Sequence, residues 1–261
     1  MKQEFGFDPD KVQIEPEAYL LGALAFENIN DGGQWETPLY EPQAENYETW
    51  GCTIWGGQNQ IEIYFKKVFG FEPNYNEIFN YIKAGVGVGG GDPQKAYESF
   101  RHDGLVNHDL ISFPATYEEF INPKQITPAI ESTGKKWLVD YELWHEWLVK
   151  PTKEEIKFML KSSPIAIGVT AWFEENGLYV DRGMKNTHWC VAYGYIEDAR
   201  GIILKVFDSY DHSEKLLHPA HSISLAKRIL IKRKPKGAEI KLTFWRRFWQ
   251  GIKWYFAEIL K

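Results

Sequence analysis

The sequence holds two cysteines, Cys52 and Cys190, and three methionines. Secreted domains stapled by disulfides need more cysteine than that, so no disulfide framework is expected. No Cys-x-x-Cys or His-x-x-x-His spacing occurs, which argues against a zinc site. No run of 18 apolar residues exists, so no membrane-spanning helix is expected. The opening Met1–Asp8 lacks an apolar h-region, and no secretory signal is expected. Internal repeats and low-complexity segments are also missing. Two cysteines leave a single bridge between them open, and one further chemical option, that one of the two is reactive.

What is present excludes disorder over most of the chain. Eleven Trp, 16 Phe and 14 Tyr in 261 residues are too much apolar surface to leave in water. The length suits one large domain or two small ones. The net charge of −6 hides an asymmetry. Residues 227–261 carry eleven Lys/Arg against two Glu, and the rest of the chain is strongly acidic. Such a division suggests a surface partner for the basic end.

The coarse pattern changes along the chain. A short apolar run, Ala18 to Phe26, reads as a helix or strand packed on the body, and residues 31–51 read as loop. Ile54, Ile61, Tyr64, Phe65 and Val68 recur at helical spacing, ending at Gly70, so Cys52 opens a predicted helix. A second helix is predicted over Asn74–Lys83. After the glycine run Gly85–Gly91, Asp92 caps and Pro93 starts a third that stops before Gly104. Residues 105–150 show no regular pattern up to a Trp-rich patch at Trp137, Trp144 and Trp147. Glu154–Leu160 reads as helix. Strands are predicted at Ile165–Thr170, His188–Tyr195, Gly201–Asp208 and Ile229–Ile231. Helices first and strands later give an α+β class in two layers or lobes.

Cys52 is the candidate nucleophile. The N–H groups and dipole at a helix start favour a thiolate. A base and an orienting group are then needed, and the strand holding His188 and the strand ending at Asp208 supply both types. Spacing alone leaves many such triples in a chain of this length. Cys190 reads as core packing, two residues from His188 on the same strand face. Asp211, His212, His218 and His221 have no metal spacing and read as solvated loop. The glycine run is no phosphate loop, because no Gly-Lys-Ser/Thr follows.

The flanks of these residues narrow the choice. Pro42-Gln43 and Gly51-Cys52, the segment Gly89-Gly90-Gly91-Asp92-Pro93, Ser163–Ile167, Thr187–Tyr195 and Lys205–Tyr210 occur in this order. Together, from about Trp35 to Ile231, they resemble the papain-like cysteine peptidase family. Its cysteine and histidine lie some 130–150 residues apart, and here His188 follows Cys52 by 136. The resemblance implies a two-lobe fold, a helical lobe followed by an antiparallel β lobe. It implies Cys52, His188 and Asp208 as catalytic residues, with Gln43 completing the oxyanion hole. It implies Gly89, Gly90 and Gly91, with Tyr210, at the substrate, which would be a peptide or protein. No cofactor and no nucleic acid are expected. There are departures. Thr49-Trp50-Gly51-Cys52-Thr53-Ile54 replaces Ser-Cys-Gly-Ser-Cys-Trp, Asp208 replaces an Asn, and Tyr210 replaces a shielding Trp. Gln43 stands nine residues before Cys52 where the family has six, which makes Asn46 a competitor. The family disulfides are missing, which suits a reducing compartment; the expected location is the cytoplasm or an assembled particle. About 30 residues before the loop are too few for the usual inhibitory pro-domain.

Domain expectations follow: residues 1–34 an N-terminal extension, 35–235 the catalytic domain, and 236–261 an added helix. That helix is amphipathic, with Phe244, Trp245, Phe248, Trp249, Ile252, Tyr255, Phe256 and Ile259 on one stripe and Arg246, Arg247 and Lys253 opposite. It would pack on the acidic body, dock in a protein partner's groove or lie on a membrane surface, in that order. Three functional readings stay open: an active thiol hydrolase, an idle papain-like module of a larger assembly such as a viral or phage particle, and amidase, isopeptidase or transglutaminase-like acyl transfer.

Overall fold

A computed structural model describes residues 6–12, 14, 25–211 and 213–235. The segment 236–261, where an amphipathic helix is predicted, and nearly all of the Ala18–Phe26 run lie outside the described residues. Six helices and eight strands follow in the order α1 (Cys52–Val68), α2 (Glu77–Ala84), α3 (Pro93–Asp103), α4 (Tyr117–Phe120), α5 (Pro128–Asp140), β1 (Tyr141–Val149), α6 (Lys153–Met159), β2 (Ile165–Val169), β3 (Phe173–Glu175), β4 (Leu178–Val180), β5 (His188–Asp198), β6 (Gly201–Phe207), β7 (Lys215–Leu217) and β8 (Leu225–Arg233). The strands form one sheet in the order β1-β8-β2-β5-β6-β7-β4-β3. Every pairing is antiparallel except β4 with β7, which is parallel. Among the described residues no helix is long and apolar enough to cross a membrane.

The caps explain the helix bounds. Asn76 accepts from the Phe79 N–H, Asp92 from the Gln94 N–H, and Gly85 closes α2 in the left-handed region at φ +68°. Two elements escape the apolar periodicity. Residues 105–150 contain α5, capped by Thr127, and the nine-residue strand β1. Helix α5 buries only Gly134 and Trp137, so it carries too narrow an apolar stripe to show in the sequence.

The core sits between α1 and the sheet. Every residue of α1 from Cys52 to Phe65 is buried. Glycine inside a helix costs about 1 kcal/mol each. Gly56 and Gly57 are tolerated because the helix touches its neighbours there. A Cβ on Gly56 would press on the Trp189 backbone of β5, and one on Gly57 on the Phe100 ring of α3.

One charge assignment is corrected. Lys227 and Arg228, counted with the basic end, are buried in β8. Lys227 Nζ lies 2.9 Å from Gln94 Oε1 and 2.9 Å from His145 Nδ1, and 3.8 Å from the Trp147 ring centroid. Burial pushes this amine well below its ordinary range. Arg228 is paired with Glu146.

Candidate active site

Two loops and two strand ends build the site. Gly51 precedes α1, so Cys52 is the first helical residue and faces the sheet. Helix α1 packs against β5, the strand that holds His188 and Trp189. Cys52 is fully buried, and that burial pushes the thiol up, with Glu48 and Asp208 adding to it; the Trp189 and Thr53 N–H groups act the other way. Cys190, also a free thiol, is buried with Sγ 3.8 Å from the Ile167 carbonyl.

His188 starts β5, and Asp208 follows the end of β6. The structure brings them together: His188 Nε2 lies 2.6 Å from Asp208 Oδ1, both side chains fully buried. Trp172 Nε1 donates to Asp208 Oδ2 at 2.9 Å. The His188 ring is flanked by Trp172 at 5.6 Å and Tyr210 at 5.2 Å. Two aromatic rings, one edge-on and one tilted, thus cover the buried imidazole–carboxylate pair.

Gln43 is wholly buried, whereas Asn46 is exposed. Gln43 is clamped from both sides. Its N–H donates to the Ser209 carbonyl, its Oε1 accepts from Ser209 Oγ at 2.6 Å, and its carbonyl accepts from Thr49 Oγ1. Thr49 Oγ1 in turn accepts from the Gly51 N–H. The Gln43 Nε2 group is buried with no hydrogen-bond partner among the described residues. Such a donor is costly to bury unless something else accepts from it.

Trp50 holds φ +55°, a region where a bulky residue is an outlier. Its N–H donates to Glu48 Oε1, and its ring packs edge-on against Tyr117 at 5.5 Å. Glu48 Oε2 accepts from Tyr210 Oη at 2.8 Å, which ties the nucleophile loop to the segment after Asp208.

The glycine segment pairs with the chain itself. The Gly91 N–H donates to the Gly6 carbonyl at 3.1 Å, and the Phe7 N–H donates to the Thr187 carbonyl at 3.1 Å. A Cβ on Gly90 would collide with the Gly6 carbonyl. Phe7 is buried, its ring 5.1 Å from Trp189 and against Gly168. Gly89, at φ +91°, has open space around its α-carbon. Although no pro-domain was expected, a stretch ahead of the loop reaches the glycine segment.

Sequence reasoning missed Trp172, Lys215, Glu48 and Ser209. Trp172, Lys215 and Glu48 sit in none of the quoted segments; Ser209 does, but its bond to Gln43, like those of Trp172 to Asp208 and Glu48 to Tyr210, joins distant parts of the chain. His221 is corrected: it is not solvated but buried, accepting from the Thr170 N–H at 3.2 Å, and burial holds it down to about 4.

Among the described residues, Glu41, Glu77 and His108 bring metal-type donor atoms within 4.8 Å of one another. His108 Nδ1 lies 3.0 Å from Glu41 Oε1, and Asn74 Nδ2 donates to the same oxygen at 2.9 Å. Burial and the neighbouring Glu41 and Glu62 raise the Glu77 carboxyl well above its ordinary range. The unfolded chain loses this proton near 4.5, while the folded chain keeps it. The folded state therefore binds more protons, and stability falls as pH rises above about 4.5 toward the raised value. Glu77→Gln should flatten that fall, read as a smaller drop in urea midpoint between pH 5 and pH 8 than in wild type. An equal drop in both would contradict it.

No protein-family model matches the chain, and no curated protein sequence matches it. Solved structures do. Over 75% of its length it superposes on the Amb a 11 cysteine protease, a ragweed pollen allergen, in its proform, at TM-score 0.56 and 15% identity, covering 63% of that chain. The bromelain protease from Ananas comosus, solved with an inhibitor, aligns over 72% of this chain and 92% of its own, at TM-score 0.53 and 14% identity. The clostridial cysteine protease Cwp84 aligns over 78% of this chain and 57% of its own, at TM-score 0.57 and 10% identity. This chain has the papain-like fold. It spans less than two thirds of the ragweed proform's length. In this papain-like fold, α1 with Cys52 packs against β5 with His188.

Proposed function

We propose that the chain is a thiol-dependent hydrolase that cuts peptide bonds. One observation carries the peptide part of the reading. A stretch of chain, Gly6-Phe7, is hydrogen-bonded between Gly91 and Thr187, the residue before His188. Main-chain pairing of this kind recognises peptide backbone whatever its side chains.

In this reading Cys52 Sγ attacks the scissile carbonyl as thiolate. His188 uses Nε2 for Asp208, and Nδ1 takes the thiol proton and then delivers it to the leaving amine. Asp208 holds the ring and stabilises its cation. The buried Gln43 amide and the Cys52 N–H receive the oxyanion. Water then releases the acyl group and regenerates the thiol.

Incubation with a peptide library, read by mass spectrometry, tests this. Defined cleavage products should form and should vanish after alkylation with iodoacetamide. No products, or products indifferent to alkylation, would overturn it. A second reading has an observation of its own: the complete burial of Cys52 is what a catalytically idle module would show. Under the active reading, the Gly6-Phe7 stretch competes with substrate. Burial of Phe7 and two hydrogen bonds are worth about 3–6 kcal/mol before ordering costs. Removal of residues 1–8 should then lower the apparent KM about 10-fold or more and speed Cys52 alkylation. An unchanged KM and alkylation rate would show that the stretch does not compete.

A further inference from the structure

Lys215 is a buried cation placed behind Asp208. Its side chain is 1% exposed, and Nζ lies 3.7 Å from Asp208 Oδ2. Nζ is held by Asp211 Oδ1 at 2.8 Å, Asp211 Oδ2 at 2.7 Å and Ser213 Oγ at 3.0 Å. It sits over the rings of Trp172 at 5.1 Å and Tyr179 at 5.4 Å. Trp172 is also the ring that donates to Asp208. An ammonium this deeply buried is costly unless its charge is used. Asp211 answers part of it, from a half-exposed position.

We infer that Lys215 is a positioning residue of the candidate site, which balances the charge of Asp208 and so sets the proton affinity of the Cys52–His188 pair. The inference rests on the proposed hydrolase reading for its functional meaning, but its electrostatics do not. A neutral orienting residue would need no such partner. A carboxylate in this pocket adds a negative charge, which stabilises the imidazolium and opposes the thiolate. Lys215 offsets that charge. The other charged and titratable groups facing the cluster are Glu48 through Tyr210, Tyr40, Cys190 and Asp211.

The test follows the imidazole of His188 by NMR in full-length protein with labelled histidine, its signals assigned by their loss in His188→Gln. Lys215→Met should raise the His188 titration midpoint by about one pH unit. Lys215→Arg should leave it near wild type. Asp208→Asn placed on Lys215→Met should bring it back, because both charges are then gone. Asp211→Asn, a half-exposed change that leaves the core untouched, should lower the midpoint and serves if Lys215→Met does not fold. Both limbs of the pH profile of Cys52 alkylation should move with the His188 midpoint. A midpoint equal in wild type, Lys215→Met and Asp211→Asn, or no reversal by Asp208→Asn, would overturn the inference. A shift of His188 without any peptide cleavage by wild type would leave the charge balance standing and remove the hydrolase reading. Cleavage with no shift would do the opposite.

Discussion

Cys52→Ala is expected to lower peptide cleavage by at least about 10³-fold, because losing a nucleophile removes the covalent path and leaves only binding and oxyanion stabilisation. The fold should survive the change. The side chain lost is small, and α1 keeps its packing through Ile54, Trp55, Ile61 and Phe65. Cys190→Ala is the control. Its thiol is buried against the Ile167 carbonyl, and burial raises it well above the ordinary thiol range. Activity in Cys190→Ala should stay within about threefold of wild type, since only packing is changed. Steady-state cleavage of a peptide found in the library assay separates the two. Equal loss in both variants would point to a general structural effect, and loss in Cys190→Ala alone would move the nucleophile.

Gln43→Ala is expected to lower kcat by about 10²–10³-fold with KM little changed, the signature of a donor that bonds only the developing oxyanion. The case rests on burial and on Nε2. The amide is held by Ser209 and Thr49 through its oxygen and backbone, and Nε2 has no partner among the described residues. Removing Gln43 also frees Ser209 Oγ, so the urea midpoint must be measured beside the kinetics. A fall in kcat matched by a stability loss large enough to unfold the loop would assign Gln43 a structural role. Asn46→Ala, at an exposed position, should change neither.

Much of this was legible because the helix and strand signals are local. The run from Ile54 to Gly70 predicted α1 to within a residue, and Asp92-Pro93 predicted the start of α3. The strand bearing His188 reads as a continuous apolar run because it is buried on both faces. What was not legible depends on partners far apart in the chain. Strand β1 alternates poorly, since its burial comes from α3 on one face and α5 at its end. Lys227 reads as a solvated cation, and only Gln94, His145 and Trp147, brought from two other elements, explain its burial. At the site, Cys52, His188, Asp208 and Gln43 stood in recognisable flanks. Trp172, which donates to the far oxygen of Asp208, and Lys215, 3.7 Å from it, stood in none. The Gly6-Phe7 stretch was invisible for the same reason: its backbone pairs with Gly91 and Thr187, and backbone pairing leaves no residue signature.

The most direct test of the central claim is covalent capture. Wild-type protein and the variant lacking residues 1–8 are treated at neutral pH with a peptidyl electrophile such as a peptidyl vinyl sulfone, digested, and the adduct is located by mass spectrometry. The account predicts one adduct, on Cys52, formed faster in the shortened chain and absent in His188→Ala. An adduct on Cys190 in place of Cys52, or no adduct on either thiol in both proteins, would contradict it.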